Sequence, residues 1–496
     1  MTPSPSSAAE AAPPAGGEEA LPGLSAVIPL LLRAIDETVA ERLAPEVQSA
    51  NAKVMVDVVH ALLGWTVRQI EEHNLAHARR LEGPDAPLPE GAPGLFASPT
   101  AAERRYGQEA AGQAIPRDPQ GIARLLAAET AFRATLDPES ADDPATAYHG
   151  GKSARQRGAG REKREVAPAT LLAYLAARCP EAPPVEIADF ALLPGGFSKE
   201  TILFRPVGGS HDGEQLVLRK DHAEKGTDFS VTDEFPLLVR LHAAGLPVAE
   251  PLWAEADPSA LGAPFLVMRR VPGTLAAEAD LGDAARASAL TRKLAEVLAA
   301  IHALPAPDAG ARDLAGHVRH QIAELRAFWL RRRLEPSPVL DTLLTWLEEN
   351  IPDMGACTPS IVHGDYGFHN LIVDGDRVSA ILDWEFAHTG DPAEDVAYCR
   401  QFLEPSGQWE AFLRDYAQAG GKPWDEARGR FFAIWQNVRN AVYCCGALEA
   451  FVRGAPGNIR LASAGLSMAP RFELAALRQI LEVAEHNPTL NPPRTA

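Results

Sequence analysis

The chain has 496 residues, a formal net charge of −19 at pH 7 and a pI of about 5.2, with 46% hydrophobic and 23% charged residues. This length exceeds what one hydrophobic core normally serves, so we expect two or more domains of ordinary globular composition. The acidic balance argues against a nucleic-acid-binding protein, and no apolar run reaches membrane-spanning length. We therefore expect a soluble, cytoplasmic protein that binds neither nucleic acid nor a membrane.

The first third of the chain divides into three predicted segments. Residues 1–23 are rich in proline, alanine and glycine and lack the basic start of a secretory signal, so we expect a disordered tail. Residues 24–137 carry apolar side chains at helical spacing and predict an all-helical accessory domain. Residues 138–165 combine prolines, a glycine pair and several basic residues, which is typical of a linker.

From residue 166 onward the pattern changes to short strands followed by a long helical region. One helix, beginning near Asp233, separates the third predicted strand from the fourth. This order predicts an α+β architecture with two lobes in a domain spanning 166–485. Its β-rich N-lobe covers about 185–268 and its helical C-lobe about 269–485, and a flexible tail follows at 486–496. The predicted strands are Ala191–Leu193, Thr201–Arg205, Gln215–Arg219 and Pro264–Met268.

The segment between Pro359 and Asp395 carries the residues typical of phosphoryl transfer. Asp365 follows a short apolar run, and Asn370 comes five residues later. A hairpin with a turn at Asp374 then leads to Asp383, so its open end should bring Asn370 and Asp383 together. One amide oxygen and one carboxylate are typical Mg²⁺ ligands when phosphate and water complete the shell. Asp365 is then placed to accept the proton of a substrate hydroxyl.

Two stretches within this segment, "IVHGDYGFHNLIV" and "AILDWEFAHTGDPAEDVA", resemble the aminoglycoside phosphotransferase-like family, whose members share the protein-kinase fold. The resemblance covers roughly residues 168–480. It implies ATP and Mg²⁺ as cofactors, Asp365 as catalytic base, and Asn370 and Asp383 as metal ligands. It also implies that His363 belongs to the catalytic loop and supports it. Asp391 resembles the family's "GDP" helix start, and we expect it to cap that helix with proline at the first helical position.

The same resemblance assigns the phosphate-binding residues. Gly195, Gly196 and Ser198 match the glycine-containing loop between the first two strands, where a backbone without Cβ atoms can approach phosphate. Arg219 stands where the family has its phosphate-pairing lysine, beside Lys220. Strand alternation places one of these two cations inward, and the alignment favours Arg219. Glu234, at the start of the helix near Asp233, matches the glutamate that pairs with this cation.

The adenine side of the nucleotide site is expected in "FLVMRRVPG", which resembles the strand and hinge that bind adenine through backbone groups. Met268, Arg269 and Val271 are the candidate hinge residues. An ordinary buried strand and turn would give a similar pattern, so these three residues rest on the resemblance.

Three readings of the function remain open at the level of sequence. The motifs are closer in style to the phosphotransferase domains fused to acyl-CoA dehydrogenases, which implies a hydroxyacyl-CoA or another metabolite alcohol as the phosphate acceptor. An antibiotic kinase of the aminoglycoside or macrolide type is the second reading. A non-catalytic nucleotide-binding scaffold is the third, and the joint presence of Asp365, Asn370 and Asp383 argues against it. The short spacing from Asp383 to Asp391 leaves no room for the activation segment of a protein kinase. The oligomeric state stays open.

Overall fold

The computed structural model describes residues 118–136, 166–193, 199–222, 227–276, 284–310, 313–334, 337–355, 357–375, 377–453 and 459–486. The predicted N-terminal tail, the linker and most of the predicted accessory domain lie outside the described residues. The first described element is helix α1 (Pro119–Leu136), at the C-terminal end of the predicted accessory domain. It is followed by helix α2 (Pro168–Arg178).

The N-lobe is an antiparallel five-stranded sheet with the strand order β1-β2-β3-β5-β4. Alternating burial along β3 gives the sheet two apolar faces, one packed under α2 and the other facing the cleft. The four predicted strands are all present, and a fifth pairs at the edge. The strands are β1 (Glu186–Leu193), β2 (Lys199–Val207), β3 (Leu216–Asp221), β4 (Pro251–Glu255) and β5 (Phe265–Arg269).

Helix α3 (Val231–Ala243) packs on the cleft face of this sheet and begins two residues earlier than predicted. Ser230 forms a capping box, because its side chain accepts the N–H of Thr232 while Asp233 accepts the N–H of Ser230. The earlier start places Pro236 inside the helix. Pro236 lies beyond the first turn, and the helix tolerates one missing backbone donor there.

The C-lobe consists of helices around two small sheets. Strand β7 pairs with β10, and the predicted hairpin is present as β8 and β9 beside β6. The strands are β6 (Thr274–Leu275), β7 (Ser360–Val362), β8 (Leu371–Asp374), β9 (Arg377–Ile381) and β10 (His388–Gly390). The helices are α4 (Ala284–Ala303), α5 (Leu314–Arg332), α6 (Pro338–Glu349), α7 (Ala393–Leu403), α8 (Trp409–Gln418), α9 (Glu426–Arg453), α10 (Ile459–Ser463) and α11 (Ala469–His486), with a π-helical segment at Ala464–Met468.

Helix α1 is built into this helical lobe. Ile122 is 1% exposed and belongs to the same apolar cluster as Val438 and Leu477, and α1 packs against α11. The end of the predicted accessory domain thus contributes to the C-lobe core. Among the described residues, no helix has both the length and the apolar composition needed to cross a membrane.

Candidate active site

The catalytic loop begins directly after β7 with His363, Gly364 and Asp365. Gly364 has a φ of +81°, which favours glycine, and a Cβ atom there would lie 2.8 Å from the carbonyl oxygen of Phe386. Tyr366 is fully buried and donates a hydrogen bond to the carbonyl of Leu294 on α4 at 2.9 Å. The loop is therefore anchored on both sides of Asp365.

Asp365 is surrounded by hydrogen-bond donors. Its Oδ2 accepts from the side-chain amide of Asn370 at 2.8 Å, and its Oδ1 lies 3.1 Å from Nε2 of His369. The hydroxyl of Tyr398, on α7, also donates to Oδ1. An ionised carboxylate only accepts hydrogen bonds, so these contacts hold Asp365 in orientation and leave lone pairs for a substrate proton. This arrangement suits a general base.

His363 supports the loop and is fully buried. Its Nδ1 accepts the backbone N–H of Asp365 at 3.2 Å, and its Nε2 donates to the carbonyl of Leu382 at 2.9 Å. This pattern requires the neutral ring with its proton on Nε2. Burial lowers the pKa of His363 and so favours the same form. Both ring nitrogens are hydrogen-bonded to backbone groups, which makes His363 a positioning residue.

The β8–β9 hairpin brings Asn370 and Asp383 to one end. Leu371 pairs with Ile381, and the backbone N–H of Leu382 donates to the carbonyl of Asn370 at 2.7 Å. The second strand ends at Ile381, so Asp383 lies two residues beyond the strand and not at its end, as the sequence had predicted. Asp383 instead has a left-handed backbone with a φ of 69° and precedes a 3₁₀ turn, Trp384–Phe386. Such a conformation is uncommon for a residue with a side chain, and it is frequent at functional sites.

The two residues offer oxygen ligands of the kind that Mg²⁺ prefers. The amide nitrogen of Asn370 is used by Asp365, which leaves the amide oxygen as its remaining polar atom, and Asp383 is 34% exposed towards the cleft. No cluster of three or more His, Cys, Asp or Glu side chains suited to a metal occurs in the part of the chain that the structure describes. A pair of protein oxygens fits a metal ion that keeps water and phosphate ligands.

Arg219 connects the N-lobe to this pair. Its Nη1 lies 3.1 Å from Oε2 of Glu234 on α3, and its Nη2 lies 2.9 Å from Oδ1 of Asp383. Burial by itself lowers the pKa of Arg219, but the facing carboxylates outweigh it and raise that pKa above its usual value. Burial raises the pKa of Glu234, and the positive charge of Arg219 opposes this rise. Lys220 points to the opposite face of β3, where its Nζ lies 3.0 Å from Glu200. The structure thus places Arg219 in the cleft.

The structure describes the hinge candidates but not the glycine-containing loop. Gly195, Gly196 and Ser198 lie outside the described residues, between the ends of β1 and β2. On β5, Met268 is buried in the core beneath the cleft. The Arg269 side chain forms ion pairs on the other face of the sheet, so it can offer only its backbone to a nucleotide. The pairs join Arg269 to Glu214 at 2.5 Å and to Glu250 at 2.7 Å, and Val271 packs against the core beyond the strand.

A buried carboxylate that the sequence did not single out holds the catalytic loop. Asp395, on α7, accepts the backbone N–H of His363 at 2.7 Å and that of Gly364 at 2.8 Å. Nε2 of His302, at the end of α4, lies 3.1 Å from Oδ2 of the same carboxylate. Burial alone would raise the pKa of Asp395, but its contacts with His302 and His363 lower it. Its place in an apolar helix, "PAEDVAYC", was the available signal.

Asp391, where the sequence predicted the helix cap, has a different geometry. Helix α7 begins at Ala393 with Pro392 as its N-cap residue, so the predicted positions were wrong by one residue. Asp391 still accepts the N–H of Ala393 at 2.8 Å and pairs with Arg428 at 3.0 Å. Burial raises the pKa of Asp391. These contacts give it a structural role.

The next acidic residue of α7, Glu394, continues the buried network behind the loop. It accepts from Nη1 of Arg439 and from Nε1 of Trp435, each at 3.0 Å. Arg439 in turn donates to the carbonyl of Gly364. The adjacent carboxylates Glu394 and Asp395 therefore fix the backbone on both sides of the loop's glycine, through Arg439 on one side and directly on the other.

Residues 189–432 match the profile of the phosphotransferase enzyme family, a range that includes Arg219, Glu234 and all the loop residues described above. Among curated proteins, acyl-CoA dehydrogenase family member 11 of Gallus gallus is 32% identical over 198 residues, which is 38% of this chain and 25% of that protein. Member 10 of Mus musculus is 33% identical over 205 residues, 39% of this chain and 19% of that protein.

Two further matches carry antibiotic names. Viomycin phosphotransferase of Streptomyces vinaceus is 33% identical over 150 residues, 27% of this chain and 48% of that protein. The solved structure of a macrolide 2′-phosphotransferase from Brachybacterium faecium has 24% identity and a TM-score of 0.40, covering 60% of this chain and 98% of that one. This chain spans less than half the length of each curated relative named here.

Proposed function

We propose that this chain phosphorylates a hydroxyl group of a small metabolite, because residues 189–432 match the phosphotransferase enzyme family, whose members are ATP-dependent kinases of small molecules. The protein accordingly uses ATP and Mg²⁺. The observation that supports the proposed reaction is the meeting of a donor-held carboxylate, Asp365, with the Asn370–Asp383 pair and the Arg219–Glu234 ion pair at one cleft.

On the donor side, each residue has a distinct task. Asn370 and Asp383 would hold the metal ion, which neutralises charge on the phosphates and orients them when bound. Arg219, kept in place by Glu234, supplies a planar cation on the N-lobe side of the cleft. Its present partner Asp383 is also the expected metal ligand, so ligand binding redistributes these charges among partners that are already adjacent.

On the acceptor side, Asp365 orients the hydroxyl group and takes its proton. The hydroxyl oxygen forms the new bond to the γ-phosphorus while the bond from phosphorus to the bridging oxygen breaks, and ADP leaves with that electron pair. His369, Asn370 and Tyr398 keep the base in position through the contacts described above. His363 and Asp395 hold the backbone that carries it.

We favour a hydroxyacyl-CoA or a related metabolite alcohol as the acceptor. The similarity to two acyl-CoA dehydrogenase family members supports this choice, although this chain covers a quarter or less of their length. The surroundings of the base agree with it, because the side chains of His369, Tyr398 and Phe402 form an aromatic group against Asp365. A polycationic antibiotic would be better matched by carboxylates at this position.

An antibiotic acceptor is the second candidate, and the similarity to viomycin phosphotransferase supports it. The overall charge of −19 is compatible with a cationic substrate. A direct comparison of substrates separates the candidates: labelled ATP is incubated with hydroxyacyl-CoAs, aminoglycosides, macrolides, viomycin and sugar alcohols, and product formation is ranked by kcat/KM. Preference for an antibiotic over every acyl-CoA would overturn the metabolite assignment.

The role of the base is tested by Asp365→Asn. The substitution keeps the shape of the side chain but removes the proton acceptor, so kcat should fall by about 100- to 10,000-fold. Binding of ATP, followed by its effect on the thermal unfolding midpoint, should be retained, and it should depend on Mg²⁺. Substantial remaining activity would remove Asp365 as base, and equal ATP stabilisation with and without Mg²⁺ would contradict the metal site.

A further inference from the structure

We propose that Lys199 is a positioning residue that couples the N-lobe to the metal-binding segment. Lys199 is the first residue of β2, directly after the glycine-containing loop, and it is 3% exposed. A buried lysine is rare unless its charge is compensated, so its partners indicate what it does. This inference rests on the proposed function, because the coupling acts on Mg²⁺ and nucleotide binding.

The ammonium group of Lys199 lies where three elements meet. Its Nζ is 3.0 Å from Oδ1 of Asp221 at the end of β3, and it donates to the carbonyl of Phe229 at 3.2 Å. It is also 3.6 Å from Oε2 of Glu385 in the C-lobe, and the Glu385 side chain is 10% exposed. Glu385 follows the expected metal ligand Asp383 by two residues.

Asp221 extends this link to the start of helix α3. Its Oδ2 accepts the hydroxyl of Ser230 at 2.8 Å, and its Oδ1 accepts the backbone N–H of Val231 at 3.0 Å. Helix α3 carries Glu234, the partner of Arg219. Lys199 is thus in contact with the carboxylate that fixes the helix, and also with the segment that holds the metal ligand.

The Lys199–Glu385 contact differs from the Arg219–Asp383 ion pair in what happens to it when ligands bind. Arg219 and Asp383 are both needed by the incoming phosphates and metal, so their mutual ion pair is exchanged on binding. Lys199 and Glu385 are not among the expected ligands. Their contact can therefore persist through binding and hold the Asp383 segment against the N-lobe.

Lys220 offers a matched control. It is also buried, on the neighbouring strand, and its Nζ lies 3.0 Å from a carboxylate, Glu200. It faces away from the cleft, so Lys220→Met should lower the unfolding midpoint without changing how Mg²⁺ strengthens nucleotide binding. Lys199→Met should weaken binding of a non-hydrolysable ATP analogue in Mg²⁺ by about tenfold and reduce kcat as well, in the range of measured couplings between sites. Lys199→Arg should recover most of both.

Glu385→Gln tests the link between the lobes by itself, since it leaves the Lys199–Asp221 pair intact; it also serves if Lys199→Met does not fold. Glu385→Gln should weaken Mg²⁺-dependent binding of the analogue. The variant with both substitutions should bind the analogue about as weakly as Lys199→Met alone, because each substitution removes the same contact between Lys199 and Glu385. Equal losses in Lys199→Met and Lys220→Met, or losses that multiply in the double variant, would overturn the proposal. Wild-type protein that fails to bind Mg²⁺ and analogue would overturn the proposed function together with it.

Discussion

Arg219 is the point at which this chain departs from the lysine expected at its position, and the structure indicates what the arginine adds. Two different nitrogens of its guanidinium serve two carboxylates, Glu234 at 3.1 Å and Asp383 at 2.9 Å. A lysine has a single nitrogen on a flexible stem and cannot reproduce this fork. We therefore expect both Arg219→Lys and Arg219→Met to be less stable and less active than wild type, and Arg219→Met to lose more stability.

The magnitudes follow from burial. Glu234 is 3% exposed, so Arg219→Met leaves a buried carboxylate without its cation and should cost about 3–5 kcal/mol of unfolding free energy. Arg219→Lys keeps the charge but loses one of two charge-assisted hydrogen bonds, which is worth about 1.5–3 kcal/mol. If that loss is felt in the transition state, kcat/KM for ATP falls by about 10- to 100-fold.

The pH dependence gives an independent check. Burial already raises the pKa of Glu234, and removal of Arg219 should raise it further. Between the unfolded pKa of about 4.3 and the raised folded value, the native state then binds more protons than the unfolded state. The stability of Arg219→Met should therefore increase as the pH falls from 8 towards 5, and more steeply than that of wild type.

Urea unfolding at several pH values and steady-state kinetics with varied ATP measure these effects. Arg205→Met is the control, because Arg205 pairs with Asp189 at 2.6 Å on an exposed part of the same sheet, and its stability should stay near that of wild type. If Arg219→Met were as stable as Arg205→Met, the Arg219–Glu234 pair would not be the buried link inferred above.

Two further substitutions test the support of the site. Asp395→Asn turns an amide towards a backbone N–H of the catalytic loop, so it should cost about 1.5–3 kcal/mol in urea unfolding and lower kcat more than it changes KM for ATP. The pKa of Asp395 is lowered in the folded state, so in wild type its contribution to stability is present above the unfolded pKa of about 3.9 and is lost as the pH falls through the folded pKa. An acid-unfolding profile of Asp395→Asn identical to that of wild type would contradict this contribution. Ile122→Ala should cost about 2–4 kcal/mol and lower the unfolding midpoint of the catalytic domain, whereas an unchanged midpoint would separate α1 from the C-lobe.

The parts of the site that could be predicted from sequence are those fixed by local geometry. A hairpin brings its ends together whatever surrounds it, so Asn370 and Asp383 could be placed from the turn alone. Strand alternation required Arg219 and Lys220 to point to opposite faces, and the structure shows this. Helix α3 begins two residues before the predicted start because Ser230 and Asp233 form a capping box, and both residues are visible in the sequence.

The parts that were missed depend on contacts between distant segments. Asp395 is 93 residues from His302, and Lys199 reaches Glu385 from the other lobe. Periodicity and motif spacing describe only neighbours along the chain, so neither pairing leaves a local signal beyond a charged residue in an apolar context. A buried charge needs partners, however, and that rule alone would have marked Asp395 as a residue to explain.

The same distinction separates the two halves of the proposed reaction. The donor side is assembled mainly from one continuous stretch, His363 to Glu385, to which the N-lobe adds Arg219 and, as we propose, Lys199. The surroundings of the base depend in addition on Tyr398 and Phe402 of α7, which follow that stretch and reach Asp365 and His369 through the fold. Because α7 also carries Asp395, the helix that holds the catalytic loop also forms the wall beside its base. Substitutions on α7 can therefore alter acceptor preference without touching a residue that binds the nucleotide, provided that Asp395 keeps the loop in place.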